Sequence, residues 1–112
     1  MRKLLVALLI AAASAILATQ ALAATRSVKV GDNYYVRKGS PPTVTVRKGT
    51  KVTWRWTGRQ LHNVAVTRGP VKFRSSLKRS GTYSKTLRRA GTYTIVCSIH
   101  QPDMKMKLRV TR

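Results

Sequence analysis

The residues best suited to chemistry in this sequence lie in one short stretch, Cys97-Ser98-Ile99-His100-Gln101-Pro102-Asp103-Met104. It sets a thiol, an imidazole and a thioether within eight residues, and it contains the only cysteine and one of the two histidines. The other histidine, His62, stands well upstream in Leu61-His62-Asn63-Val64. A soft thiolate, two borderline imidazoles and a weak thioether suit copper, above all a trigonal His2Cys site with a distant Met. On residues alone, other readings stay open. A lone cysteine is usually a small buried apolar residue. Cys-x-x-His can be half of a zinc site, although no second Cys/His pair exists to complete four zinc ligands. Met104 also continues the apolar alternation of Met106, Leu108 and Val110, as a core residue would. A thiol nucleophile with a histidine base fares worst. Both groups are tied to one turn, and Asp32 and Asp103 are the only acids in the chain.

The elements that must position these groups read as strands. Val28 and Val30 alternate with Ser27 and Lys29, Val44 and Val46 with Thr43, Thr45 and Arg47, and Val52, Trp54 and Trp56 with Lys51, Thr53 and Arg55. A period of two marks half-buried strands with one polar face. Turn signals separate them: Gly31-Asp32-Asn33, Gly39-Ser40-Pro41-Pro42 and Lys48-Gly49-Thr50. Further strands are expected at Val64 to Val66, Thr82 to Leu87, Thr92 to Cys97 and Lys105 to Thr111; Arg68-Gly69-Pro70 breaks the strand before it, and Thr67 to Ser80 reads as a connecting loop with room for a short irregular strand. Seven or eight short strands without a helical period predict an all-β, two-sheet Greek-key sandwich, antiparallel in its pairing. Strand parity then tests the metal idea. His62 shares a face with Val64 and Val66, Cys97 with Tyr93 and Ile95, and Met104 with Met106, Leu108 and Val110. All three side chains point inward if those apolar sets form the core, and strand ends can meet at one pole.

Residues 1–23 have the form of a signal peptide. Arg2 and Lys3 precede the apolar run Leu4 to Leu17, and Ala21-Leu22-Ala23 offers small residues where a signal peptidase reads. An uncleaved anchor is the alternative, since the run approaches spanning length. Residues 24–112 then form one exported domain, periplasmic or extracellular, near the size where a single core is marginal. One cysteine cannot make an internal disulfide there, so a reactive thiol, an intermolecular bridge or metal ligation must account for it. Charge is the other outstanding property: 23 Lys plus Arg against 2 Asp plus Glu, a formal +21. Such a field attracts anionic partners and speeds encounter at low salt. It is compatible with association to an anionic envelope or membrane surface, and equally with a merely solvated basic surface. Nucleic acid fits the charge, but export removes it as a physiological partner.

The sequence resembles the cupredoxins, most closely the small plastocyanin and pseudoazurin type of blue-copper protein. The likeness covers roughly Ser27 to Arg112. It is carried by Val30-Gly31-Asp32-Asn33-Tyr34-Tyr35, by Thr43 to Trp54, and by Gly91-Thr92-Tyr93-Thr94-Ile95-Val96-Cys97-Ser98-Ile99-His100. The resemblance implies one type 1 copper ion on His62, Cys97, His100 and Met104, with Asn63 tying the His62 strand to the loop near Ser98. It implies an electron carrier that meets its redox partner through an apolar rim around His100, for which Leu61, Ile99 and Pro102 are the candidates; the basic charge makes that partner an anionic protein, and the chain is expected to be a monomer and not an enzyme. Three departures stand out: the His100-to-Met104 spacing is azurin-like, Met106 offers a second thioether, and the loop carries an acidic residue, Asp103, close to the expected metal pole. A copper-binding or copper-delivery protein with the same ligands is the alternative function. A cationic envelope-binding module with structural Cys and His is a third.

Overall fold

A computed structural model of the chain describes residues 24–36 and 41–112. The leader expected at 1–23 lies outside the described residues, as do Arg37, Lys38 and the Gly39-Ser40 part of one turn. Among the described residues there are eight strands: β1 (Thr25–Gly31), β2 (Tyr34–Tyr35), β3 (Thr43–Arg47), β4 (Thr50–Trp56), β5 (Ala65–Arg68), β6 (Thr82–Leu87), β7 (Gly91–Val96) and β8 (Lys105–Thr111). They form two four-stranded sheets, ordered β2-β1-β4-β6 and β3-β8-β7-β5. Alternation dictates the inner faces. In β4, Thr50, Val52, Trp54 and Trp56 are buried while Lys51 and Arg55 are exposed; in β8, Met106, Leu108 and Val110 are buried while Lys107 and Arg109 are exposed. The inner faces meet in one apolar core that includes Val30, Tyr35, Trp54, Tyr93, Ile95 and Leu108.

The two-sheet sandwich is the one expected, but not all of its pairs are antiparallel. β1 lies parallel to β4, with Val28 beside Trp54, and β3 lies parallel to β8, with Val44 beside Leu108. Parallel neighbours need a long crossover, and the chain supplies it by passing repeatedly from one sheet to the other. The remaining pairings, β4 with β6 and β5 with β7 with β8, are antiparallel.

The connection expected at Thr67 to Ser80 begins later than its sequence suggests. β5 runs on to Arg68 with a bulge after Val66. The chain then doubles back along the His62–Val66 segment, where Phe73 accepts from Val66 N, Ser75 N donates to Val64 O, and Lys78 and His62 exchange two backbone bonds of 2.9 Å. An irregular stretch of sequence thereby fixes the segment that carries His62.

Candidate metal centre

Three strand ends converge at one pole of the sandwich. His62 precedes β5, Cys97 follows β7, and Met104 precedes β8. His62, Cys97 and Met104 are fully buried, while His100 is partly exposed. The 97–104 loop is closed by its own backbone: Cys97 N donates to Met104 O at 3.1 Å, His100 N to Cys97 O at 3.1 Å, and Met104 N to His100 O at 3.0 Å. His62 is gripped by the Lys78 pair and by the buried Trp56 indole, whose Nε1–H donates to His62 O at 3.1 Å.

The ligand-bearing atoms face one another. His62 Nδ1 and His100 Nδ1 are 3.2 Å apart, Cys97 Sγ is 3.4 Å from His100 Nδ1, and it is 3.9 Å from His62 Nδ1. All three atoms fall within 4.8 Å of one another. A planar trigonal ion with metal–nitrogen bonds of about 2.0 Å and a metal–sulfur bond of about 2.3 Å requires roughly 3.5 Å between nitrogens and 3.7 Å between nitrogen and sulfur. The two nitrogen–sulfur separations bracket their value, and the nitrogen–nitrogen separation of 3.2 Å is slightly shorter than its own. Converging lone pairs repel unless a proton or a cation lies among them, so this donor set is built to hold one. Two imidazoles and a thiolate select copper over hard cations, which prefer oxygen. Met104 contributes a thioether at the base of the same loop, where it shares the wall of a shallow pocket with Asn33, His100, Gln101 and Asp103.

A second layer holds these groups. Asn63 Oδ1 accepts from Ser98 N at 2.8 Å, which joins the His62 segment to the Cys97 loop. The Asn63 carbonyl takes the hydroxyl of Tyr35. Burial, with a smaller contribution from Cys97, pushes the Tyr35 phenol well above its ordinary range, so it remains a donor. Sequence reasoning gives Asp32 no part in the metal site. Its Oδ1 lies 2.9 Å from His62 Nε2 and 3.0 Å from Gln60 N, and Arg59 N reaches both oxygens at 3.1 Å. Those bonds, Gln60 N first and then His62 and Arg59 N, lower the Asp32 carboxyl to about 2. An anionic acceptor at Nε2 makes that nitrogen the protonated one and leaves the Nδ1 lone pair facing Cys97 and His100.

Comparison with known proteins agrees with this geometry. Residues 25–111 match the model of the family described as copper binding proteins, plastocyanin/azurin family. Amicyanin-alpha of Methylorubrum extorquens is 34% identical over 105 residues, a match that covers 88% of this chain and 87% of that protein. Among solved structures, a reduced tryptophan-to-tyrosine mutant of amicyanin superposes with a TM-score of 0.64 at 28% identity, covering 83% of this chain and 87% of that one. The copper-containing nitrite reductase of Thermus scotoductus shares the fold, with a TM-score of 0.63 at 24% identity, over 83% of this chain but only 23% of that enzyme. Fold, donor chemistry and family therefore agree on copper as the cofactor: the chain belongs to the plastocyanin/azurin family of copper-binding proteins and is a small blue-copper cupredoxin.

Proposed function

We propose that this protein carries single electrons between redox partner proteins, using one copper ion held by His62 Nδ1, Cys97 Sγ and His100 Nδ1, with Met104 as a weak fourth contact. The observation that carries the reading is the convergence of those three donor atoms at one pole, each from a different backbone position already fixed by hydrogen bonds. Copper supplies the one-electron couple Cu(II)/Cu(I). The chain's part is to keep the ligands still while the charge changes, because ligands that moved would add a reorganisation barrier to each transfer. The closed 97–104 loop, the Lys78–His62 backbone pair and the Asn63–Ser98 bond serve that end. Four protein donors leave no open position for a substrate, which a catalytic metal site needs, so the reading is a carrier rather than an enzyme.

His100 is the exit for electrons in this reading, since it alone among the four is partly exposed. Ile99, 51% exposed, and the exposed Pro102 flank it in the same loop, and the half-buried Leu61 adjoins the other histidine in sequence; in this reading they are the apolar surround against which a partner can exclude water. The basic field outside that rim favours an anionic redox protein and attraction to anionic envelope surfaces. Residues 1–23 act as an export leader, and 24–112 work as a monomeric domain in the periplasm or outside the cell.

Titration of the apoprotein with Cu(II) under an absorption spectrometer tests the ligand set. The complex is expected to be intensely blue from sulfur-to-copper charge transfer, and Cys97→Ser to abolish the colour. A colourless Cu(II) complex of the intact protein would refute it. Copper delivery, the competing function, would show as release to a chelator on the timescale of turnover; reversible redox cycling without release supports the carrier.

A further inference from the structure

The chain has two acids, and one of them sits directly behind a proposed copper ligand. Asp32 is not held there by accident of a surface turn. Its carboxylate collects three donors from the segment leading into His62, namely Arg59 N, Gln60 N and His62 Nε2–H, all at 2.9 to 3.1 Å. The space it occupies exists because residue 58 is glycine: a Cβ at Gly58 would lie 2.2 Å from Asp32 Oδ1 and 2.5 Å from its Cγ. Asp32 reaches the site from the turn between β1 and β2, 30 residues before His62. The bond therefore depends on sheet packing and not on the local loop.

Resting on the ligand reading above, we propose that Asp32 is a positioning residue for the copper centre, a carboxylate–His62 relay that fixes the ring before metal arrives and lowers the reduction potential by favouring Cu(II). A carboxylate that accepts the outer N–H of a metal-bound imidazole raises the basicity of the inner nitrogen. The more basic ligand and the negative charge behind it stabilise the higher oxidation state more than the lower one. Gly58 is the complement of this device, since it provides the clearance for the carboxylate. Asp103, the other acid, is exposed in the 97–104 loop and bonds to neither histidine. It shares the charge of Asp32 without the contact.

That difference defines the experiment. Reduction potentials of the copper-loaded native protein, Asp32→Asn and Asp103→Asn are measured by redox titration at one pH and ionic strength. Asn at 32 can still accept from His62 and Gln60 through Oδ1, so the substitution removes charge and keeps the ring in place. Mutation of a ligand's outer partner commonly changes metal affinity 10–100-fold; with the hydrogen bond kept and the charge removed, the low end applies, and the Cu(II) preference should fall on the order of tenfold, a rise of about 59 mV for one electron. Asp103→Asn should shift the potential by clearly less. Equal potentials for native and Asp32→Asn proteins, or equal shifts for both variants, would overturn the role given to Asp32. Gly58→Ala gives a readout that needs no copper. In the apoprotein the His62 Nε2–H should appear as a slowly exchanging low-field proton resonance, lost in Gly58→Ala; its absence from the folded native apoprotein would also overturn the proposal. A native protein that is not blue would instead refute the ligand set itself, whatever the resonance shows.

Discussion

Replacing Asn63 by alanine should destabilise the protein in both its apo and copper-loaded forms, because the bond it breaks spans two backbone segments. Asn63 is 3% exposed, and its Oδ1 is the acceptor for Ser98 N at 2.8 Å. Alanine leaves that N–H without its acceptor. A buried donor left unpaired costs about 1–3 kcal/mol. Ser98 is only partly buried, so water recovers a share and the lower half of the range, about 1.5 kcal/mol, is the fair expectation. The Tyr35 hydroxyl is unaffected, since its acceptor is the Asn63 backbone carbonyl. For a domain of this size each kcal/mol moves the midpoint by roughly 4–8 °C, so Tm should fall by about 6–12 °C. Thermal unfolding followed by circular dichroism measures it, with Thr67→Ala as the control. Thr67 Oγ1 bonds Thr94 O at 3.4 Å on the surface, and its loss should stay within about 0.5 kcal/mol. An Asn63→Ala protein that melts with the control would show that Ser98 N is satisfied without Asn63, and the clamp would be withdrawn.

Met104→Leu should keep the blue colour and raise the reduction potential, because a weak donor to Cu(II) is lost, whereas Met106→Leu, fully buried in β8, should act through packing and cost less than about 1.5 kcal/mol. A potential that follows Met106 instead would identify the wrong sulfur. Reversing charge at the exposed Lys72 and Arg74 should slow association with an anionic acceptor and flatten its salt dependence, leaving the potential unchanged, as stopped-flow across ionic strengths would read. Ile99→Asp should slow transfer even at high salt, where steering is screened. An intact blue site with unchanged high-salt transfer would remove the Leu61, Ile99 and Pro102 rim as the docking surface.

Much of this arrangement is legible in the sequence because alternation is a direct consequence of strand geometry. The buried sets at Val52, Trp54 and Trp56 and at Met106, Leu108 and Val110 follow from period two alone. The same parity correctly turned Cys97 and Met104 inward. The Asn63–Ser98 bond was expected from family likeness and is present. What parity cannot encode is which strand lies beside which. The parallel pairs of β1 with β4 and β3 with β8 are set by how two twisted sheets close on one core, and neighbouring residues carry no mark of it. Asp32 was illegible for the same reason. In sequence it is a turn residue flanked by Gly31 and Asn33, and only packing of β1 against β4 brings it to His62. Gly58 likewise reads as a loop glycine, and its purpose becomes visible only through the carboxylate it makes room for.

The position of β8 has a consequence for biosynthesis. It is the eighth of the eight described strands, yet it sits inside its sheet, between β3 and β7. A chain interrupted before Lys105 would already contain His62, Cys97 and His100, but β3 and β7 would have no strand between them. β3 would then have no hydrogen-bonded neighbour in its sheet, and β7, which leads into the thiolate, would keep only β5. Pairings between such distant stretches form late and slowly. During synthesis the copper pole would therefore mature only after residues beyond Met104 have emerged, and copper captured before then would meet an unsupported thiolate. Trimming residues 105–112 should accordingly abolish the blue centre without touching any of its four proposed ligands.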